Sequence, residues 1–193
     1  MRKGGLRAGD ALIITRPLGT GILFAAAMRA RAKAPWIAAA LAGMRRSNRG
    51  AARIIVDHAA TAMTDISGFG LVGHLGEMLT ASGAEATIDL SALPLYDGAL
   101  LLARDGIAST LLPENLALGT LLRNEIDAGT RAVLFDPQTA GGLLAGVPAA
   151  HAAACIADLA AAGHRSAAVI GRVGQVGLST PEVGIATRGS LAG

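Results

Sequence analysis

Apolar side chains along this chain recur in two rhythms: short continuous runs, and stretches spaced three and four residues apart. A run of four to eight fits a buried strand, and the wider spacing fits one face of a helix. Ala11-Leu12-Ile13-Ile14-Thr15 is the first run, stopped by Pro17. Leu18-Gly19-Thr20-Gly21 follows as a turn, and Ile22 to Ala32 take helical spacing. Pro35 suits the first turn of the next helix. On it Trp36, Ile37, Ala40, Leu41 and Met44 share a face, and Arg45, Arg46 and Asn48 close the end. A third helix carries Ala51, Ile54, Ile55, His58 and Ala59.

Thr61 to Asp65 predict a short strand running into a glycine-rich turn, and Phe69 to Thr80 a helix. Ala86 to Leu90 predict a strand, and Leu95 to Arg104 and Pro113 to Arg123 predict helices. Ala132 to Phe135 and Gly142 to Val147 read as strands around the turn at Pro137. Ala149 to Ala162 form an Ala-rich helix ended by Gly163. Ala167 to Ile170 and Gly184 to Thr187 are the last expected strands. Strands and helices alternate irregularly, without repeats or low-complexity linkers, so one α/β or α+β domain is the expected class.

Composition changes the picture of the core more than that of the chemistry. Apolar residues make up 52% of the 193 positions and aromatics only 3%, so Ala, Val, Leu and Ile must build the interior. The 26 glycines mark tight turns and close backbone approaches. Pro137 to Ala157 is uncharged and long enough to span a bilayer. Gln138, Gly141, Gly142, Gly146, Pro148 and His151 interrupt it, which favours a turn, strand and helix over a membrane span. No signal peptide follows Met1-Arg2-Lys3, and the single Cys155 excludes an internal disulfide or cysteine zinc cluster, so a cytoplasmic protein is expected.

Charge is unevenly spread. Residues 1–53 hold eleven Lys or Arg against Asp10 alone, a net +10. Residues 54–193 hold six Arg against thirteen acids, a net −7. Such a split marks an anion-binding face or two parts that neutralise each other in the fold. In the first case Arg16, Arg45, Arg46 or Arg49 belongs on the side of the phosphate chemistry. Nucleic acid is a poor partner, because Phe24 and Trp36 alone could stack on bases in the basic part.

Thr64-Asp65-Ile66-Ser67-Gly68-Phe69-Gly70 is the most informative stretch. An acid at a strand end, a turn with two glycines and a helix start aim a carboxylate and free amides into one small volume. Such a carboxylate can hold Mg²⁺ while amides and metal hold phosphate oxygens; equally, Asp65 or Ser67 can simply cap the helix. Asn48, Thr64, Gly68 and Gly70 are the candidate phosphate contacts by local geometry. His74 reads as a core or boundary histidine beside Leu71, Leu75 and Met78, and His58 as part of an apolar stripe. Asp136-Pro137-Gln138-Thr139-Ala140-Gly141-Gly142 is a second strand–turn element, or a β-turn in which Asp136 bonds its own backbone. Gly19-Thr20-Gly21 is a weak anion cradle, no Walker P-loop exists, and Cys155 reads as a small core residue.

On these segments the chain resembles the selenide, water dikinases, or selenophosphate synthetases. The likeness runs through Gly9 to Gly21, Trp36-Ile37, Ser47-Asn48, Thr64 to Gly70, Pro113-Glu114-Asn115 and Phe135 to Leu144. It is carried above all by the Thr-Asp-Ile-Ser-Gly-Phe-Gly and Asp-Pro-Gln-Thr-Ala-Gly-Gly pair. The wider superfamily includes aminoimidazole ribonucleotide synthetase, thiamine-monophosphate kinase and a hydrogenase maturation protein. The resemblance implies a C-terminal domain of that superfamily, α/β (α+β), with layered helices on a mixed, partly ferredoxin-like sheet. Residues 1–10 would be a linker remnant and 11–193 the single domain, with the family's N-terminal ATP-binding domain absent from this sequence.

The implied reaction converts ATP, selenide and water to selenophosphate, AMP and phosphate with Mg²⁺ as cofactor. In that family the other domain carries a reactive Cys or selenocysteine, a lysine and several aspartates. This domain adds one metal-ligand aspartate, at the position of Asp65. The complete enzyme would be a homodimer, and this chain alone inactive. The alternatives are another ATP-dependent member of the superfamily, or a non-catalytic domain that binds a nucleotide or a partner.

Overall fold

Ala11–Ile14 forms strand β1, and all four residues are buried. A strand that is apolar at every position needs cover on both faces, and that requirement sets the architecture. A computed structural model of the chain describes residues 2–117, 121–177, 180 and 182–186. β1 lies in a six-stranded sheet with β2 (Ala62–Asp65), β3 (Ala84–Asp89), β4 (Leu143–Val147), β5 (Ala168–Val176) and β6 (Val183–Ala186). The order is β2-β4-β1-β5-β3-β6, antiparallel except between β3 and β6.

The expected ferredoxin-like part is the strand set β2-β4-β1-β5. Taken in chain order, β1, β2, β4 and β5 build two interleaved strand–helix–strand units, with β4 inserted between the parallel β1 and β2. The helix before β2, α3 (Arg49–Asp57), and the helix between β4 and β5, α8 (Ala149–Ala161), share one face. There Ala51, Ile55, Ala152, Cys155 and Leu159 pack on Ile13, Ala145 and Val147. His58 Nε2 meets Asp158 Oδ2 at 2.7 Å and ties the two helices together.

The other face carries the larger core. Leu12, Ile14 and Leu144 meet side chains from α1 (Thr20–Met28), α4 (Gly70–Ser82), α5 (Ala99–Arg104) and α7 (Ala128–Leu134). α4, β3, α5, a short α6 (Leu112–Leu116) and α7 all come from the long segment between β2 and β4. α2 (Ala34–Met44) lies over this layer with only Ala40 fully buried. Residues 2–10 belong to the same body: Leu6 is buried, and the Gly5 and Leu6 amides donate to Ser82 Oγ, each at 3.1 Å.

One expected strand is a helix. Ala132 to Leu134 end α7, with Phe135 as the C-cap. A four-residue apolar run carries no period of its own. The deciding signal lies upstream, where Asp127 Oδ1 accepts the Thr130 amide at 3.0 Å and starts the helix. The expected Leu95–Arg104 helix begins only at Ala99, because Leu95 bridges Leu18 and Gly98 turns the chain at φ +80. α1 stops at Met28, where Ala30 adopts φ +54. β5 runs on to Val176, beyond the expected Ile170. The expected Pro113–Arg123 helix is described only as α6 in its first part, and residues 118–120 and Thr187 lie outside the described residues.

Candidate functional site

The two signature segments meet at one end of the sheet. Thr64 and Ile14 flank Leu144 of β4 from opposite sides, so β1 and β2 end together where β4 begins. The Ile66 amide donates to Gly142 O at 2.9 Å and the Gln138 amide to Ser67 O at 2.9 Å, which lays the turns at 66–70 and 136–142 side by side. Glycine is required at both contacts. A Cβ on Gly141 would collide with Ile66 O, and one on Gly70, at φ +69, would stand 2.7 Å from the Phe135 carbonyl carbon. Asn115 locks the pair, donating from Nδ2 to Gly68 O at 2.7 Å and to Phe135 O at 2.9 Å.

Asp65 is the last residue of β2 and is exposed. No described residue hydrogen-bonds or ion-pairs with its carboxylate. No side chain caps the start of α4, so neither Asp65 nor Ser67 serves as its cap. Among the described residues no three His, Cys, Asp or Glu side chains gather to hold a metal ion. Asp65 therefore fits a single ligand position. A Mg²⁺ there would be completed by phosphate oxygens, water and groups from outside this set.

Next to Asp65, the Ser67 hydroxyl lies 3.1 Å from His74 Nε2, and His74 Nδ1 lies 2.8 Å from Glu77 Oε2. Glu77 also accepts from Lys3 Nζ at 2.7 Å. Burial pushes the Glu77 carboxyl up, but Lys3 and His74 outweigh it and hold it below its ordinary value. His74 is buried, as its apolar neighbours imply. Sequence spacing gave no hint that its two nitrogens join Ser67 to an ion pair.

The second segment acts as a brace. Gln138 Oε1 accepts the Gly19 and Thr20 amides at 3.1 and 3.3 Å, and Asp136 Oδ2 accepts the Gly21 amide at 3.0 Å. The amides of Gly19-Thr20-Gly21 are thus occupied by side chains of this chain, which removes that turn as an anion cradle. Asp136 likewise bonds across to α1 and not merely to its own turn. Burial lifts its carboxyl to about 7, against the pull of the Ile22 amide, Gln138 and the Gly21 amide.

Arg16 clamps the turn from the β1 side. Its guanidinium donates to the carbonyls of Ala140, Gly141 and Arg46 and to Asn48 Oδ1, while Asn48 Nδ2 donates to Gly141 O at 2.9 Å. The Asn48 amide is thus engaged in the brace, Thr64 is buried with its hydroxyl 3.2 Å from Asp65 O, and Gly70 is buried under Phe135. Gly68 is exposed, with open space where a side chain would be. The bracing roles of Arg16, Asn115 and Gln138 leave no signal in the sequence, because they depend on partners up to 125 positions away. Cys155 is fully buried, and burial followed by Asp158 pushes its thiol up to about 11, far from a thiolate nucleophile.

Part of the charge split is neutralised within the chain. Lys3 pairs with Glu77, and Arg31 with Asp105. Arg16 and Arg46 instead sit at the Asp65 end of the sheet, and neither takes part in an ion pair among the described residues.

Residues 7–183 match the family model described as AIR synthase related protein, C-terminal domain. The chain is 39% identical over 178 residues to the selenide, water dikinase of Myxococcus xanthus, covering 90% of this chain and 50% of that protein. It is 41% identical over 147 residues to the selenide, water dikinase of Geobacter metallireducens, covering 75% of this chain and 43% of that protein. The chain thus spans about half the length of the curated relatives it matches. Among solved structures it is similar to the hydrogenase maturation protein HypE, with a TM-score of 0.64 at 20% identity, over 95% of this chain and 51% of that one. Thiamine monophosphate kinase from Aquifex aeolicus gives 0.55 at 19% identity, over 96% and 52%. At such identities the likeness speaks for the fold alone. With nearly the whole described chain matched and the same fold in solved relatives, the chain belongs to the AIR synthase related protein C-terminal domain family.

Proposed function

We propose that this chain is the C-terminal part of a selenophosphate synthetase, which makes selenophosphate, AMP and phosphate from ATP, selenide and water. One observation carries this: identity of 39% to a selenide, water dikinase over 90% of the chain, across both braced segments. Within the complete enzyme this part is the wall that closes over Mg²⁺–ATP held by an N-terminal domain, in a homodimeric, cytoplasmic protein. ATP as substrate is consistent with a fold relative, HypE, having been solved in complex with ATP.

The chain's own residues position and neutralise; they do not attack. Asp65 supplies one carboxylate to a metal that would screen the polyphosphate, which is electrostatic and positioning work. The uncapped start of α4 and the open backbone at Gly68 leave room for phosphate oxygens beside that carboxylate. The Arg16, Asn48 and Asn115 brace fixes the two turns so that Asp65 is held at the strand end.

The test is Asp65→Asn in a two-domain enzyme carrying this chain, followed by selenide-dependent AMP release. Turnover should fall roughly 100- to 1000-fold, as for loss of one preorganised electrostatic group, with the melting temperature unchanged. Near-normal turnover would remove Asp65 from the metal site.

A further inference from the structure

A cleft of about 350 Å³ opens beside Arg16, between α2, the loop at Tyr96 and the turn from α8 into β5. Its charged and titratable wall consists of Arg16, Arg46, His164, Arg165, Tyr96 and Asp97. Three arginines and one aspartate contribute to that lining, and none of the ion pairs among the described residues includes Arg16, Arg46 or Arg165. Arg16 and Arg46 satisfy part of their hydrogen-bonding capacity on neutral groups, the latter on Gly163 O, and keep their charge uncompensated. The crowding is felt by the neighbours: burial, then Arg46 and Arg16, push the His164 imidazole below its ordinary value.

Tyr96 supplies an independent observation. Its side chain is buried, yet its hydroxyl has no hydrogen-bond partner. Gly43 makes the space for it, since a Cβ there would collide with Tyr96 Oη. Buried hydroxyls are almost always bonded, and Tyr96 is one of the residues lining this cation-rich cleft. A donor without an acceptor, set among uncompensated guanidiniums, matches a small tetrahedral oxyanion with several acceptor oxygens.

We propose that this cleft binds a phosphate group, with Arg16, Arg46 and Arg165 supplying charge and the Tyr96 hydroxyl donating to it from the buried side. Nothing in this assignment depends on Asp65 or on the dikinase reading.

The experiment titrates the 193-residue chain with inorganic phosphate, with ADP and with acetate, read by calorimetry and by thermal shift. Saturable phosphate binding that raises the melting temperature is expected, with acetate much weaker. ADP binding more tightly than phosphate assigns the group to a nucleotide; ADP binding no more tightly assigns it to free phosphate. Tyr96→Phe and Arg165→Ala should each weaken binding about tenfold. Tyr96→Phe should leave the melting temperature of the unliganded chain unchanged or higher, because it removes an unpartnered hydroxyl. The site is refuted by no saturation at tens of millimolar phosphate, by acetate binding equally well, or by both variants binding like the parent. A destabilised Tyr96→Phe would refute it too, because the hydroxyl would then have a structural partner.

Discussion

Asp136 is held in a setting that opposes its own charge. The side chain is 1% exposed, and burial raises its carboxyl to about 7 even though the start of α1 and Gln138 donate to it. A carboxyl with a raised folded-state value contributes its full stability below its ordinary value, and loses it as pH rises through the folded one. The contribution is therefore present near pH 4 and gone above about pH 7. Asp136→Asn keeps the shape and removes the titration. In denaturant unfolding from pH 4 to 8, the parent should lose roughly 2–4 kcal/mol relative to this variant. Parallel pH profiles for the two proteins would show that Asp136 stays ionised throughout.

Two glycines of one motif differ in what they do for α4. Gly70 opens the helix at φ +69 with its α-carbon pressed on Phe135, so the end of α7 and the start of α4 touch backbone to backbone. Gly68, two residues earlier, has no heavy atom within 4 Å of a would-be Cβ. Gly70→Ala combines left-handed strain with overpacking against backbone that cannot swing away, and should cost about 2–4 kcal/mol. Gly68→Ala should change stability by less than about 0.5 kcal/mol, yet raise the KM for ATP in a complete two-domain enzyme. Chemical denaturation of both variants separates the two roles. Equal stability losses would mean that the approach of α4 to α7 relaxes more readily than its geometry indicates.

At the scale of the whole molecule, the chain has two core layers and, on the proposed reading, one wall of a phosphoryl-transfer site. Phosphoryl transfer needs the nucleotide positioned and neutralised from several sides at once, and among the described residues no three His, Cys, Asp or Glu side chains gather to do so. The 193-residue chain by itself should unfold cooperatively and release no AMP from ATP in the presence of selenide and Mg²⁺. Selenide-dependent AMP formation by this polypeptide alone would place the chemistry in this half and overturn the proposed division of roles. Phe69, 52% exposed, borders a largely apolar hollow with Gly73, Gly76, Ala81, Ala117 and Leu121, edged by Glu77 and Thr80, next to the same site. Such a face suits contact with further protein.

Local chemistry determined much of this protein in advance. The apolar run before Pro17, the helical spacing at 149–162 and the acid–glycine turn at 65–70 needed only neighbouring residues, because strand burial, helix period and turn chemistry are short-range properties. The same is true of Cys155, whose apolar neighbours already marked it as core. Residues 132–134 carry no period of their own; the local Asp127 cap starts their helix, and the core that buries Ala132, Val133 and Leu134 accepts it. Tertiary structure alone decided the rest. The Gly-Thr-Gly turn is filled because Gln138 and Asp136 arrive from more than 100 positions away. His74 links Ser67 to Glu77 and Lys3, and Arg16 gathers Ala140, Gly141, Arg46 and Asn48, only once antiparallel pairing has brought the ends of β1, β2 and β4 together. Hydrogen bonds between distant residues follow from strand order, and strand order is a property of the assembled core that no window of sequence contains.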